Sequence, residues 1–200
     1  MNRLDRPVEG LVLYAKNSKS AAALTRQITQ GEVDKCYYAV VKVTDRKGME
    51  NVQKELGSRT VITLENYLLK DSRTNMSHVV PEGTDGAKKA ALEYRVLGVE
   101  AGGELALLRV KLHTGRHHQI RVQLSEAGMP ILNDTKYAVP LDEEKVKGGA
   151  RTNSEDSLAL CSYRLVFSHP VTRKKLTFEV VPKGKSFALF SEDFGKKDNI

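Results

Sequence analysis

Two β-rich runs on either side of a Gly-Gly pair constrain the fold of this chain more than any other sequence feature. The runs cover residues 91–99 and 104–112, and the glycines are Gly102 and Gly103. Apolar and charged residues alternate toward the end of the second run, so one face of this strand is expected to be more polar than the other. The pattern predicts a β-hairpin with antiparallel strands.

Further β-rich runs extend this pattern over most of the chain. The segments predicted as strands are 11–15, 34–43, 60–69, 158–167 and 174–181. The last two flank His169 and Pro170 and predict a second hairpin. Residues 70–88 and 139–157 are rich in polar side chains and are expected to be loops.

Helical patterns occur between the predicted strands. Asn17 or Ser18 can cap a helix that ends at Gly31. A second helix is predicted over 116–126, and a short third one over 186–194. Because the strands cluster in hairpins and do not alternate regularly with helices, the expected fold class is α+β, with a mixed, mostly antiparallel β-sheet and inserted helices.

The composition is that of an ordinary soluble protein with a moderate positive charge. Of 200 residues, 40% are hydrophobic, and the formal net charge is +7 with an isoelectric point of about 9.3. No apolar run is long enough to span a membrane and no signal peptide is visible, so a cytoplasmic location is expected. The charge favours a polyanionic partner such as nucleic acid, although by itself it separates binding from simple solubility only weakly.

The segment from Leu112 to Tyr137 combines apolar positions with adjacent histidines, a glutamine and two arginines. Arg116, Gln119 and Arg121 predict a polyanion-binding set, since the forked guanidinium group matches phosphate and carboxylate. Arg121 lies between two apolar residues, so we expect it to be partly buried. A partly buried arginine needs an anionic partner.

A metal site is the other interpretation of the histidines in this segment. His117 and His118 are adjacent and cannot both lie on one face of a helix, and no HExxH motif is present. Cys36 and Cys161 are too far apart in sequence to form a zinc-binding pair. The sequence therefore predicts that the protein holds no metal.

Two other short segments contain candidate functional residues. Asp5 lies in the run Arg3-Leu4-Asp5-Arg6-Pro7, which taken alone is best interpreted as a frayed terminus. Tyr37 and Tyr38 are adjacent in a predicted strand and so point to opposite faces of the sheet. At most one of them can belong to a given site, and core packing is the commoner role for a strand tyrosine.

Four segments together resemble the motifs of RluA-type pseudouridine synthases. They are the run 3–7 (RLDRP) with residues 10–16, the run 35–41 (KCYYAVV), the run 114–122 (TGRHHQIRV) continuing to Asp134 and Tyr137, and the run 158–170. The segments occur in the order of the family and span residues 2 to about 182. The resemblance therefore covers most of the chain.

The resemblance implies an enzyme that isomerises uridines of RNA, either ribosomal or transfer RNA, to pseudouridine. It implies that Asp5 is the catalytic aspartate, that Tyr37 stacks on the target base and assists removal of the C5 proton, and that Arg121 pairs with Asp5. Leu160 corresponds to an apolar residue that lines the uracil pocket. The resemblance also implies the pseudouridine synthase catalytic fold, a bacterial source, and a reaction that needs neither a metal nor an organic cofactor.

Polar and cationic side chains around the catalytic residues are expected to bind the RNA. Those assigned to substrate binding, besides Leu160, are Arg3, Arg6, Arg116, His118 and Gln119, and Lys136 is expected to hold phosphate as well. The alternative from a different class is a catalytically weak RNA-binding fragment without an ordered site around Asp5. A glycoside-cleaving enzyme would need a second carboxylate opposite Asp5, but Asp134 is expected to cap the turn after Pro130.

The chain departs from the family near these motifs and at its beginning. The family has His where Asn2 stands, Thr-Ser in place of Val8-Glu9, and Gly-Asp in place of Asn133-Asp134. Family members also carry strands ahead of Asp5 and often an S4 RNA-binding domain. We therefore expect residues 1–200 to form a single catalytic domain that is truncated at its N-terminus. An exposed sheet edge there is expected to mediate self-association.

Overall fold

The computed structural model describes residues 4–43, 49–52, 60–138 and 157–194. Two expectations from the sequence lie outside these ranges. They are the role of Arg3 in substrate binding and almost all of the loop predicted at 139–157.

One mixed β-sheet of eight strands forms the centre of the described structure. Its strands are β1 (Glu9–Gly10), β2 (Asp34–Lys42), β3 (Ile62–Asp71), β4 (Met76–Val80), β5 (Lys88–Val99), β6 (Leu105–Leu112), β7 (Leu160–Ser168) and β8 (Lys175–Glu179). The order across the sheet is β1-β7-β2-β6-β5-β3-β4, and β8 also pairs with β7. β1 runs parallel to β7, and the other pairings between the described strands are antiparallel.

The hairpins predicted from the sequence are present, since β5 pairs with β6 and β7 pairs with β8. The main helices are α1 (Ser18–Thr29), α2 (Gln119–Glu126) and a closing 3₁₀ helix (Lys185–Phe190), and residues 49–52 are also helical. The predicted α+β class with a mostly antiparallel sheet is therefore confirmed. None of the helices in the described ranges is long and apolar enough to cross a membrane.

β2 runs through the core of the sheet. It pairs with β6 on one side and with β7 on the other, and all residues from Cys36 to Val41 are buried. A strand that is apolar on both faces is typical of such a central position. Its pairing holds Tyr37 opposite Val110 on β6 and Ser162 on β7. The central strand therefore fixes the place of Tyr37 in the molecule.

The two main helices begin in different ways. α1 starts at its predicted cap, because Oδ1 of Asn17 accepts the N–H of Ser20 at 2.8 Å. α2 starts at Gln119 and not at Arg116, so its predicted start was wrong. The physical reason is His118, whose left-handed conformation (φ 52°, ψ 23°) does not continue a right-handed helix.

The strand predicted at 11–15 was wrong. Only Glu9 and Gly10 pair with β7, and the chain leaves the sheet after one further hydrogen bond from the N–H of Leu11 to Ser162 O at 2.8 Å. Gly10 has φ 112°, which is not the backbone conformation of a regular strand. Leu13 and Ala15 of the apolar run instead pack against the buried cluster of Leu24, Val33 and Phe167.

The loop predicted at 70–88 was also wrong in part, because β4 lies within it and forms a hairpin with β3. The signal that identifies this hairpin is the turn at 72–75. Oδ1 of Asp71 accepts the N–H of Arg73 at 2.8 Å, and Asn75 is left-handed with φ 51°. Asp and Asn are both favoured in such turns because their side chains bond the nearby backbone and tolerate this conformation.

β1 and β8 lie against the same side of β7. Because β1 is only two residues long, β8 forms most of this edge among the described strands. The self-association that the sequence predicts through an N-terminal edge stays a prediction.

Candidate active site

A cleft of about 760 Å³ opens beside β2, β7 and the start of α2. This volume is typical of ligand pockets in proteins. Among the described residues that line the cleft, Asp5 is the one carboxylate, and six side chains are cationic. The six are Arg6, Lys35, Lys70, Arg116, Arg121 and Lys136. Such an excess of cations favours an anionic ligand.

Backbone and side-chain hydrogen bonds hold the segment that carries Asp5 in place. The carbonyl of Asp5 accepts the N–H of Val8 at 3.0 Å, which closes a turn before the strand. The Glu9 carboxylate accepts the N–H groups of Lys183 and Gly184 at 3.2 and 3.1 Å. These bonds tie the start of the described chain to the segment after β8.

Gly10 allows the same segment to approach β7 closely. A Cβ atom at Gly10 would lie 2.3 Å from the carbonyl oxygen of Ser162, and the φ of 112° is one that side chains rarely adopt. Both the space and the conformation therefore require glycine at this position. The close pairing holds the segment after Asp5 against β7, the strand that pairs with β2.

Asp5 contacts two side chains from the start of α2. Its Oδ2 atom lies 3.4 Å from Nη1 of Arg121 and 3.4 Å from Nε2 of His118. The structure thus brings Asp5 and Arg121 together across a separation of 116 residues. Both distances exceed the usual length of about 2.7–2.9 Å for a charge-assisted hydrogen bond. The carboxylate therefore retains capacity to interact with a bound substrate.

The principal partner of Arg121 is Asp134. Nε of Arg121 donates to Oδ2 at 2.8 Å and Nη2 donates to Oδ1 at 2.7 Å, in a forked arrangement. The Asp134 side chain is 0% exposed. The predicted pair of Arg121 and Asp5 is present at 3.4 Å, and the structure adds Asp134 as the nearer partner, which anchors the guanidinium group.

Asp134 also caps the turn that follows Pro130, as the sequence predicts. Its Oδ1 accepts the N–H groups of Lys136 and Tyr137 at 2.9 and 3.2 Å. Although burial lowers the pKa of Arg121, the hydrogen bonds and charge of Asp134 outweigh it and raise that pKa above its ordinary value, with a smaller contribution from Asp5. Arg121 is therefore a fixed cation in the wall of the cleft.

His118 is held by a chain of hydrogen bonds that determines which ring nitrogen carries the proton. The N–H of Ser77 donates to the hydroxyl oxygen of Tyr137 at 2.7 Å, and this hydroxyl lies 2.8 Å from Nδ1 of His118. Because the Tyr137 oxygen accepts from Ser77, its proton is free to be donated to Nδ1. The ring proton of neutral His118 then lies on Nε2, the atom that faces Asp5.

Burial keeps His118 neutral. It lowers the pKa of His118 to about 4, although the nearby Asp5 charge opposes the change. The ring also stacks on His117, with 3.8 Å between the ring centroids. His118 is thus a neutral, fixed hydrogen-bond donor toward Asp5, and its backbone strain at φ 52° is of the kind found at functional sites.

Tyr37 lies on β2 in the wall of the cleft, and its side chain is largely buried. Burial raises the pKa of Tyr37 to about 12, and the Asp5 charge adds to the rise, while the Ser162 hydroxyl offsets a part of it. The side chain is therefore a neutral phenol at physiological pH.

The other predicted site residues in the described ranges all line the cleft, but they differ in burial and in bonding. Leu160, Arg6 and Arg116 line the cleft, with Leu160 buried and the two arginines exposed. Gln119 also lines it but is 3% exposed. Its Oε1 accepts from the N–H of Arg116 at 2.9 Å and from Oγ1 of Thr114 at 2.8 Å. The Gln119 amide thus bonds protein groups and shapes the turn before α2.

Sequence reasoning missed two cationic residues that line the cleft, Lys35 and Lys70. Lys35 could have been found, because it stands two positions before Tyr37 in the same predicted strand and alternate residues share a face. Lys70 could not, because its position depends on the β3–β4 hairpin.

The histidines are not grouped for metal binding. His113 contacts Glu93 at 3.0 Å, while His117 and His118 stack on each other at the cleft. Within the described ranges, no three His, Cys, Asp or Glu side chains are arranged to hold a metal ion. The predicted independence from metal stays a prediction.

Comparison with known proteins identifies relatives of this chain. The family model described as RNA pseudouridylate synthase matches residues 1–126. "Ribosomal large subunit pseudouridine synthase D" of Vibrio cholerae is 33% identical over 187 residues, which cover 89% of this chain and 50% of that protein. "tRNA pseudouridine synthase C" of Haemophilus ducreyi is 27% identical over 192 residues, covering 96% and 75% respectively.

The chain spans only about half the length of several curated relatives. The protein of the same name, "Ribosomal large subunit pseudouridine synthase D", from Borreliella burgdorferi matches the whole chain at 30% identity but over 53% of its own length. An "Uncharacterized RNA pseudouridine synthase" of Aquifex aeolicus matches over 52% of its length. Activities, substrates and partners of the whole relatives are therefore proposals for this chain.

Solved structures support the fold. "Human RNA Pseudouridylate Synthase Domain Containing 4" superimposes with a TM-score of 0.62 at 18% identity, covering 86% of this chain and 66% of that chain. "Human RNA Pseudouridylate Synthase Domain Containing 1" gives a TM-score of 0.59 at 22% identity, covering 84% and 62%. The match of the family model to more than half of the chain decides the assignment: the chain belongs to the RNA pseudouridylate synthase family.

Proposed function

We propose that this protein isomerises uridines in RNA to pseudouridine, with Asp5 as its catalytic carboxylate. The observation that carries the proposal is the contact of Asp5 with Arg121 and His118 in a cationic cleft that Tyr37 also lines. The relatives are named for ribosomal and transfer RNA. We therefore propose one of these RNAs as the substrate.

The reaction needs a carboxylate because it breaks and remakes a bond at an anomeric carbon. The C1′–N1 bond of uridine breaks, the uracil turns, and a C1′–C5 bond forms, after which C5 loses its proton and N1 holds one. A carboxylate can add to C1′ or assist loss of the base as a glycal, as carboxylates do at the anomeric carbon in glycosidases. Asp5 takes this role in the proposal.

Arg121 and His118 position the Asp5 carboxylate. Since Asp134 already fixes Arg121 through two hydrogen bonds, the guanidinium group does not depend on Asp5 for its orientation. The Nε2–H of His118 adds a second donor to the same oxygen, Oδ2. Preorganised donors of this kind hold a reacting group in a productive geometry.

Tyr37 acts as a neutral side chain. Burial raises the pKa of Tyr37 to about 12, which leaves the phenolate form scarce at neutral pH, and the expected part of Tyr37 in removing the C5 proton stays a prediction. Its ring is suited to stack on a uracil that has been flipped out of the RNA, a step that costs a few kcal/mol. Leu160 supplies an apolar wall for the same base.

The cationic side chains of the cleft are proposed to hold the RNA backbone. Arg6 and Arg116 are exposed along its rim, and Nζ of Lys136 donates to the carbonyl of Asn75 at 2.9 Å. Contacts of such cations with phosphate groups would position an RNA without reading its sequence. Arg3, which lies outside the described residues, keeps its expected role as a proposal.

The alternative is a catalytically weak RNA-binding fragment. That interpretation requires an Asp5 that is not held opposite Arg121. The turn at Asp5, the anchoring of Glu9 and the 3.4 Å contact with Arg121 all favour the enzyme.

The proposal is tested by incubating the protein with unmodified total RNA and mapping pseudouridine chemically. Asp5→Asn is compared with the wild type and with Asp85→Asn, which changes an exposed aspartate outside the cleft. We expect product from the wild type and from Asp85→Asn, and none from Asp5→Asn. Equal product from Asp5→Asn would refute the role of Asp5, and no product from the wild type would favour the fragment.

A further inference from the structure

Lys35 is a buried lysine that opens into the candidate active site. It lies at the start of β2 with 8% of its surface exposed, and it lines the cleft. Its ammonium group lies beside Gly115, where a Cβ atom would be 3.3 Å from Nζ. A lysine is rarely buried to this extent unless it is paired with an anion.

No acidic side chain pairs with Lys35 in the part of the chain that the structure describes. Its neighbour Asp34 pairs instead with Lys111, at 3.9 Å. Adjacent residues of a strand point to opposite faces, so Asp34 is directed away from the cleft that Lys35 lines. Burying an ammonium group without an anion is costly, which favours a ligand that supplies the anion.

A second cation, Arg116, lines the same cleft as Lys35. Burial, and next the charge of Arg116, lower the pKa of Lys35. Nε of Arg116 donates to the carbonyl of Lys89 at 2.9 Å, which anchors the guanidinium group and leaves its other N–H groups available. A single anion bound between these two cations would reduce their mutual repulsion and compensate the buried charge of Lys35.

The position of Lys35 relative to Tyr37 indicates which anion fits. The two residues are alternate positions of β2 and line the same cleft, so they lie about 6–7 Å apart along the strand. That separation is comparable to the distance between a base and a phosphate of its own nucleotide. A base stacked on Tyr37 would therefore have a backbone phosphate within reach of Lys35.

We propose that Lys35 and Arg116 form a phosphate subsite, which binds a backbone phosphate next to the uridine whose base stacks on Tyr37. The inference rests on the proposed function for the identity of the ligand as RNA. Lys35 supplies a compact charge from inside the wall, and Arg116 supplies directed N–H donors from the rim. Gly115 leaves space beside the Lys35 ammonium group, because it has no side chain.

The first test measures how much of the RNA affinity depends on salt. A fluorescent short oligouridylate is titrated with the wild type, Lys35→Met, Lys35→Arg and Lys175→Met over a range of salt concentrations. Lys35→Met keeps an unbranched apolar stem without the charge, Lys35→Arg keeps the charge, and Lys175 is an exposed lysine on β8, outside the cleft. Thermal unfolding of each variant checks that it is folded.

We expect Lys35→Met to bind about tenfold more weakly at low salt. We also expect its slope of log Kd against log salt to fall by about 0.7, the value for one phosphate contact on a single strand. Lys35→Arg is expected to retain most of the slope, and Lys175→Met to match the wild type. An unchanged slope in folded Lys35→Met would overturn the subsite.

The second test asks whether the phosphate belongs to the bound nucleotide. Uridine and uridine 3′,5′-bisphosphate compete with the oligouridylate for the wild type and for Lys35→Met. The bisphosphate is expected to compete better than uridine with the wild type, and Lys35→Met is expected to lose most of that advantage. Equal advantages in both proteins would refute the subsite. If Lys35→Met loses the advantage of the bisphosphate and the wild type forms no pseudouridine, the subsite is supported and the proposed activity is rejected.

Discussion

Arg121 binds Asp134 through two hydrogen bonds of 2.8 and 2.7 Å, and this pair leaves Asp5 with one contact of 3.4 Å to the same guanidinium group. The arrangement separates two tasks. Asp134 neutralises and orients a buried arginine, and Asp5 remains able to react. A carboxylate that was itself the sole partner of Arg121 would have to break a strong ion pair before it could attack.

The first prediction concerns the fixed ion pair. Asp134→Asn removes the charge that compensates Arg121, and it also weakens the cap that bonds the N–H groups of Lys136 and Tyr137. We expect a loss of about 3–5 kcal/mol in the free energy of unfolding, as for other buried ion pairs that lose one partner. Chemical denaturation measures it, with Asp85→Asn as the exposed control. A wild-type free energy of unfolding for Asp134→Asn would contradict the anchoring role.

The second prediction concerns the tautomer of His118. Tyr137→Phe removes the hydroxyl that donates to Nδ1 of His118 and accepts from Ser77. We expect ¹⁵N NMR to find the ring proton of wild-type His118 on Nε2. In Tyr137→Phe we expect a mixture of tautomers, together with a stability loss of about 1–3 kcal/mol for the unsatisfied N–H of Ser77. A wild-type ring protonated on Nδ1 would show that His118 is not a donor to Asp5.

The third prediction is a pH dependence of stability. Because the pKa of His118 is lowered to about 4 in the folded protein, the unfolded chain binds the proton more readily, near its ordinary pKa of about 6.5. The stability contributed by neutral His118 is therefore fully present above about pH 6.5. It is lost as the pH falls toward 4.

The matched variant for this pH dependence is His118→Asn. Asparagine tolerates the left-handed conformation of position 118 and does not titrate in this range. We expect the free energy of unfolding of the wild type to fall more steeply than that of His118→Asn as the pH decreases from about 6.5. Parallel curves for the two proteins would show that His118 is not buried in its neutral form.

The fourth prediction concerns the attachment of the Asp5 segment. In Gly10→Ala the new methyl group would lie 2.3 Å from the Ser162 oxygen, at φ 112°. We expect the pairing of β1 with β7 to be lost, with little activity remaining. Gly103→Ala is the control, since Gly103 also has a positive φ but nothing within 4 Å of the added atom, and it is expected to cost about 1–2 kcal/mol. Equal stability and activity in the two variants would contradict the close-approach argument.

The sequence predicted those parts of the fold whose signals are local. The hairpin of β5 and β6 follows from two β-rich runs around a Gly-Gly pair, and the α1 cap follows from Asn17 before an amphipathic run. β4 is not predicted from the sequence because it is short and lies in a polar segment whose turn residues indicate a loop. The start of α2 was predicted wrongly because the residue type at position 118 does not reveal that its backbone is left-handed.

The site was predictable only through the family resemblance. Asp5 and Arg121 lie 116 residues apart, and no local pattern relates them. Their meeting depends on the two-residue pairing of β1 with β7 and on the space that Gly10 leaves. The leading role of Asp134 was not foreseen for a similar reason, since it follows from how the turn before Tyr137 folds back on α2.

The most direct test of the central claim follows the proton that leaves C5. RNA labelled with tritium at C5 of uridine is incubated with the wild type, Asp5→Asn and Asp85→Asn, and tritium released into water is measured. After the C1′–C5 bond has formed, this hydrogen must leave C5 to complete pseudouridine. We predict release by the wild type and by Asp85→Asn, and a rate at least about 1000-fold lower for Asp5→Asn. Release by Asp5→Asn at the wild-type rate would contradict the assignment of Asp5 as the catalytic carboxylate.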